Sequence, residues 1–175
     1  AYYNDEVIIP ALMSRGVTLA DAREYGIIGC VEPQKPFKTD GWHDAAFFNM
    51  CRPLELVFSN GVDKGAQISI KTGNVEDMTT FEEFYNAYKA QETYMIGLMV
   101  NAINAIDTAH SERVPLPFLS CMVEDCVKEG KTVQEGGAHY NFTGPQGFGI
   151  ANMADGLWAV KTLVFDEKES HNGRT

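Results

Sequence analysis

The chain is 175 residues long, 45% hydrophobic and 11% aromatic, enough to bury a core, and its net charge is −10. With 14 lysines and arginines, scattered rather than clustered, it lacks the basic footprint that phosphate backbones require, which excludes nucleic acid as a partner. Cys30, Cys51, Cys121 and Cys126 show neither CxxC spacing nor a dense framework, and no apolar stretch is long enough to span a bilayer; the expectation is a cytoplasmic protein with reduced thiols and no membrane partner.

Asn4 as cap, Asp5 and Glu6 in a first turn and Gly16 beyond the end predict a helix over 4–14. Thr18 with Asp21 resembles a capping box with Asp in place of Glu, opening a short second helix. The run from Tyr25 to Val31 is short, apolar and β-branched, and Pro33 closes it, so it reads as a buried strand ending in a loop at Glu32-Pro33. Helix followed by strand points to an α/β layer. Residues 44–60 carry a helical pattern stopped by Gly61, with Asp44 in the first turn and Pro53 kinking the middle.

Thr80 with Glu83 forms another capping box, opening a long helix toward Asp107 whose stripe of Phe81, Phe84, Tyr85 and Tyr88 reads as core. Pro115 and Pro117 precede a predicted helix over 118–129 that Gly130 stops, with Cys121 and Cys126 as packing residues. The glycine-dense stretch 136–149 has neither the GxGxxG order nor the GK[ST] ending of a phosphate loop and reads as tight strand and turn, leading into a helix through Trp158. The polar tail from Asp166 to Thr175 reads as frayed.

Cys30 and Glu32 carry the chemistry. On an extended chain residues i and i+2 share a face, and a carboxylate beside a thiol opposes thiolate formation, which suits hydrogen-atom transfer better than nucleophilic attack. For the same reason a Cys30–His43 nucleophilic dyad is disfavoured. The alternatives are a packing role for Cys30 and a helix-start role for Asp44. His43, His110, His139 and His171 form no i, i+4 pair, which argues against zinc, and His110 before Ser111-Glu112-Arg113 reads as an ion-paired structural residue.

Gly29-Cys30-Val31-Glu32-Pro33-Gln34, followed by Gly41-Trp42-His43-Asp44-Ala45-Ala46-Phe47-Phe48-Asn49, resembles the active-site cysteine loop of the glycyl radical enzymes. Within that family it is most similar to the dehydratase branch acting on glycerol, propanediol and 4-hydroxyproline. The likeness runs on through His110-Ser111-Glu112-Arg113, Leu116-Pro117-Phe118 and the stretch Tyr140–Gly147. The resemblance implies an α/β fold, part of a ten-stranded barrel, with residues 1–175 supplying the cysteine-loop half of the barrel domain. It also implies Cys30 as the thiyl site, Glu32 as base on a substrate hydroxyl, and Asp44 as the acid near the diol; Trp42 and His43 receive no chemistry.

No Arg-Val-x-Gly-Tyr loop for the radical-storing glycine occurs in the chain, and family members are several times longer, so the sequence reads as a fragment, inactive alone. The resemblance further implies no metal or organic cofactor on this chain, a small-molecule substrate, an activating enzyme using S-adenosylmethionine and an iron–sulfur cluster, an anaerobic host and a homodimer at full length. The alternatives within the family are hydroxyproline dehydratase, hydroxyarylacetate decarboxylase and formate acetyltransferase, the last disfavoured because Gly29 stands where two adjacent cysteines are used. One departure is Phe37, at a position where the family often has glycine. A catalytically inert piece is the alternative of another class.

Overall fold

A computed structural model describes residues 3–166. In chain order the elements are helices α1 (Asp5–Met13) and α2 (Leu19–Ala22), strands β1 (Gly26–Ile28), β2 (Glu32–Gln34), β3 (Thr39–Asp40) and β4 (His43–Asn49), helix α3 (Cys51–Phe58), and strands β5 (Val62–Asp63) and β6 (Ala66–Gln67). The long helix α4 (Phe81–Arg113), the single turns α5 (Pro117–Ser120) and α6 (Cys126–Glu129), strands β7 (Tyr140–Asn141) and β8 (Gly144–Phe148), and helix α7 (Ile150–Val160) complete the chain. The mixed α/β content agrees with the sequence. Among the described residues the strands pair only as ribbons of two: β1 with β2, β3 with β7, β4 with β8 and β5 with β6.

The chain divides into two units, Ala1–Ala45 with Ile103–Pro145 and Ala46–Ala102 with Gln146–Thr175. In the first, Leu12, Val17, Ala22 and Tyr140 form one buried cluster, and Cys126, Val133 and Ala138 another. The Tyr140 hydroxyl donates to Asp21 at 2.7 Å and receives the Thr18 N–H at 3.3 Å, so one phenol holds the start of α2. That bond, and Lys38 beside it, keep the Asp21 carboxyl below its ordinary value. In the second unit Leu54, Val57, Phe84, Ala87, Tyr88 and Phe165 make the core. A Cβ on Gly156 of α7 would stand 2.9 Å from Leu54 on α3, so this mid-helix glycine permits the close approach.

The caps predicted at α1, α2 and α4 are present: the Asn4 side chain accepts from the Glu6 N–H at 3.0 Å, Thr18 from the Asp21 N–H at 3.2 Å, and Thr80 from the Glu83 N–H at 3.2 Å. Three expectations fail. Residues 43–49 form a strand rather than the start of a helix, in keeping with the β preference of Phe47-Phe48. The helix begins only at Cys51, with Pro53 in the first turn, where a missing N–H costs nothing. Residues 118–129 do not make one helix, because Asp125 takes φ +74 and splits them into two single turns.

Cys126 is buried as predicted, whereas Cys121 is exposed. Of the tail, 167–175 lies outside the described residues, as does His171; Asp166 is ordered, ion-paired with Lys161 at 2.7 Å.

Of the α4 stripe read as core, Phe84 and Tyr88 are buried at 1% and 3% exposure, but Tyr85 is 36% exposed and lies outside the core. Phe84→Ala is expected to cost about 3–5 kcal/mol. Tyr85→Ala is expected to cost well under half as much, and equal losses in urea denaturation would refute this assignment of the core face.

Candidate active site

β1 and β2 pair antiparallel, with Gly26 opposite Gln34, Ile27 opposite Pro33 and Ile28 opposite Glu32, so Gly29-Cys30-Val31 is the turn of a hairpin. The sequence reading of a buried strand through Val31 is corrected here: Ile27 and Ile28 are exposed, Cys30 sits on the turn and Glu32 begins the return strand. Proline is tolerated on such a free-edged strand, which is why Pro33 does not end it. Gly29 makes the reversal possible. It takes φ +57, and a Cβ there would lie 2.8 Å from the nearer Glu32 carboxylate oxygen.

That oxygen, Oε2, accepts the Cys30 N–H at 3.0 Å and the Val31 N–H at 2.9 Å. The carboxylate therefore closes the turn over the backbone that presents the thiol. These donors, Val31 foremost, hold the Glu32 carboxyl below its ordinary value of 4.5, and the charge of His43 acts in the same direction. Glu32 is accordingly ionised at neutral pH and able to accept a proton.

A cavity of about 340 Å³ opens beside the hairpin, lined among others by Gly29, Glu32, Asp40, His43, Asp44 and Leu119. It brings Glu32 and Asp44 together, and Cys30 adjoins it as the chain neighbour of Gly29. Asp44 is exposed on β4 with φ +60, not in a helical first turn. His43 Nε2 lies 3.0 Å from Oε1 of Gln34, and the Trp42 and His110 rings pack in a T-shaped contact with centroids 5.5 Å apart. The contact seen at His110 is thus aromatic.

Sequence reasoning missed Gln34 and Asp40. Gln34 is two residues from Glu32 on one strand and was recoverable had β2 been recognised. Asp40 gives no such signal: burial pushes its carboxyl above the ordinary 3.8, the Trp42 N–H opposes the rise, and the charge of Asp107 adds to it. Glu32 and Asp40 are shifted in opposite directions on one cavity wall. Apart from the cavity, Glu124, Asp125 and His139 bring donor atoms within 4.8 Å of one another, with Asp125 already bonded to His139 at 2.6 Å.

The family model described as pyruvate formate lyase-like matches residues 1–172. The chain therefore belongs to the pyruvate formate lyase-like family. A solved structure concerned with 1,2-propanediol dehydration in Roseburia inulinivorans matches it at TM-score 0.94 and 69% identity, covering 97% of this chain and 21% of that one. The glycerol-bound B12-independent glycerol dehydratase of Clostridium butyricum matches at TM-score 0.94 and 63% identity, over 97% of this chain and 22% of that one. The (2S)-3-sulfopropanediol dehydratase of Klebsiella oxytoca is 40% identical over 168 residues, 95% of this chain and 20% of the relative. The chain spans about a fifth of the length of these relatives. They bear out the resemblance to the dehydratase branch.

Because the folded-state pKa of Glu32 is depressed, its contribution to the hairpin is present above 4.5 and lost as pH falls through the lowered value. Protection factors of the Cys30 and Val31 amides are expected to drop in Glu32→Ala at pH 7, and in the wild type on acidification below 4.5. Unchanged protection in Glu32→Ala would show that the carboxylate does not close the turn.

Proposed function

We propose that this chain is the cysteine-bearing segment of a glycyl radical dehydratase, a lyase that removes water from a small vicinal diol such as glycerol or propane-1,2-diol. The observation that carries the reading is the hairpin turn holding Cys30 beside a cavity that Glu32 and Asp44 share, in a chain 69% identical to a structure concerned with 1,2-propanediol dehydration. On this reading residues 1–175 belong to the ten-stranded barrel domain of the family, and the radical-storing glycine lies on another segment. The exposure of Cys30 fits access from such a segment. The family's glycyl radical, installed by an S-adenosylmethionine and iron–sulfur activating enzyme, supplies hydrogen-atom abstraction from the Cys30 thiol.

The Cys30 thiyl takes a hydrogen atom from the carbon bearing one hydroxyl; an S–H bond forms as that C–H bond breaks. Glu32 accepts the proton of the same hydroxyl, a role its ionised state permits. The ketyl so formed expels the neighbouring hydroxyl, which takes up this proton and leaves as water while Asp44 holds it in place. The thiol then returns its hydrogen atom to the carbon skeleton, giving an aldehyde and restoring the thiyl. A depressed pKa makes Glu32 a weak base, and it suffices because loss of the carbon-bound hydrogen sharply acidifies the hydroxyl.

The test uses the complete enzyme with its activating enzyme, without oxygen. Cys30→Ser is expected to abolish turnover while leaving the glycyl radical signal in the electron paramagnetic resonance spectrum, and Glu32→Gln to lower kcat by roughly 10²–10⁴-fold. Turnover retained in Cys30→Ser would sink the assignment. Product analysis separates an aldehyde from the products of hydroxyproline dehydration, arylacetate decarboxylation or acetyl transfer, and no product from any substrate would identify an inert piece.

A further inference from the structure

His43 is half-buried at the cavity, held by Gln34 and fitted against two glycines. Its Nε2 bonds Oε1 of Gln34 at 3.0 Å, and Gln34 is only 5% exposed, so water competes little for that bond. With Oε1 as the acceptor, Nε2 is the donor of that bond. Two glycines make room for the ring. A Cβ on Gly41 would collide with Nε2 and stand 2.7 Å from Cε1, and a Cβ on Gly144 would stand 3.1 Å from Nδ1.

The backbone on both sides of the ring is also unusual. Trp42 takes φ +28 and Asp44 φ +60, so two residues with side chains occupy the left-handed region on either side of His43. Such conformations are unfavourable for residues with a Cβ and persist where the surroundings impose them. His43, between these two residues, is bonded to β2 through Gln34. Gln34 belongs to the strand that begins with Glu32, and His43 is the chain neighbour of Asp44.

We infer that His43 is a positioning residue: its bond to Gln34, admitted by the bare backbone at Gly41 and Gly144, ties the strand bearing Glu32 to the strand bearing Asp44 and fixes the spacing of the two carboxylates across the cavity. The inference rests on the reading in which those two groups act on substrate. It gives the resembling motif's histidine and first glycine a task, and gives Gln34 one as well. A misplacement of reacting groups by about 1 Å costs on the order of 10²-fold in rate.

In the complete activated enzyme, His43→Leu is expected to lower kcat by about 10²-fold with a smaller change in KM, while the glycyl radical signal keeps its wild-type amplitude. His43→Gln, which retains a donor in place of Nε2, is expected to restore most of the loss. Gly41→Ala should match His43→Leu, and the double variant should be no slower than either, because both changes remove one bond. Wild-type kcat in His43→Leu, a His43→Gln variant as slow as His43→Leu, or additive losses in the double variant would each overturn the proposal. If His43→Leu fails to accumulate the radical, Gln34→Leu removes only the acceptor and is held to the same outcomes, with slow turnover supporting the proposal and wild-type turnover overturning it. Cys30→Ser run alongside separates the two readings: activity there defeats the dehydratase mechanism itself, whereas an inactive Cys30→Ser with a fully active His43→Leu defeats the positioning role alone.

Discussion

Everything at the candidate site depends on how a three-residue turn is closed. A turn of this size leaves backbone donors pointing outward, and an unclosed one would let the thiol sample many positions. Here the Glu32 carboxylate satisfies the Cys30 and Val31 N–H groups at once, and Gly29 removes the side chain that would block it. On the proposed mechanism, the group that takes the substrate proton thus also orders the cysteine that precedes it. Its basicity is lowered in consequence, a compromise between holding the turn and accepting protons.

The wall of the cavity separates its acids by environment. Glu32 is surrounded by donors and stays ionised, whereas Asp40 is desolvated and faces the charge of Asp107, which favours its neutral form. Backbone amides are the main cause of the first shift and burial of the second.

Local chemistry was legible in the sequence where it depended on neighbours in the chain. Asn4, Thr18 and Thr80 announced their helices because a cap is a contact over two or three residues. The motif at 29–34 and 41–49 pointed to the family that the comparisons bear out, and the proposed roles of Cys30, Glu32 and Asp44 rest on that same motif. What was not legible was set by tertiary contact or by handedness. Residues 44–49 read as the start of a helix from the pattern of 44–60, yet their pairing with β8 makes a strand. Asp125 ends a predicted helix with a left-handed backbone that its side chain does not advertise. Phe37, noted as standing where glycine is common in the family, takes φ +62 with its ring 75% exposed, a position whose preference for glycine is conformational rather than a matter of space.

The division of the cysteines has a practical consequence. Cys30 and Cys121 are exposed, while Cys126 is buried among Val133 and Ala138, with burial pushing its thiol above 9.0. Alkylating reagents acting on this chain will therefore mark Cys30 and Cys121 before Cys126. Cys126 reacts only when its cluster opens, so its slow labelling rate is a built-in clock for local unfolding of the 126–138 region, readable by mass spectrometry without any engineered probe.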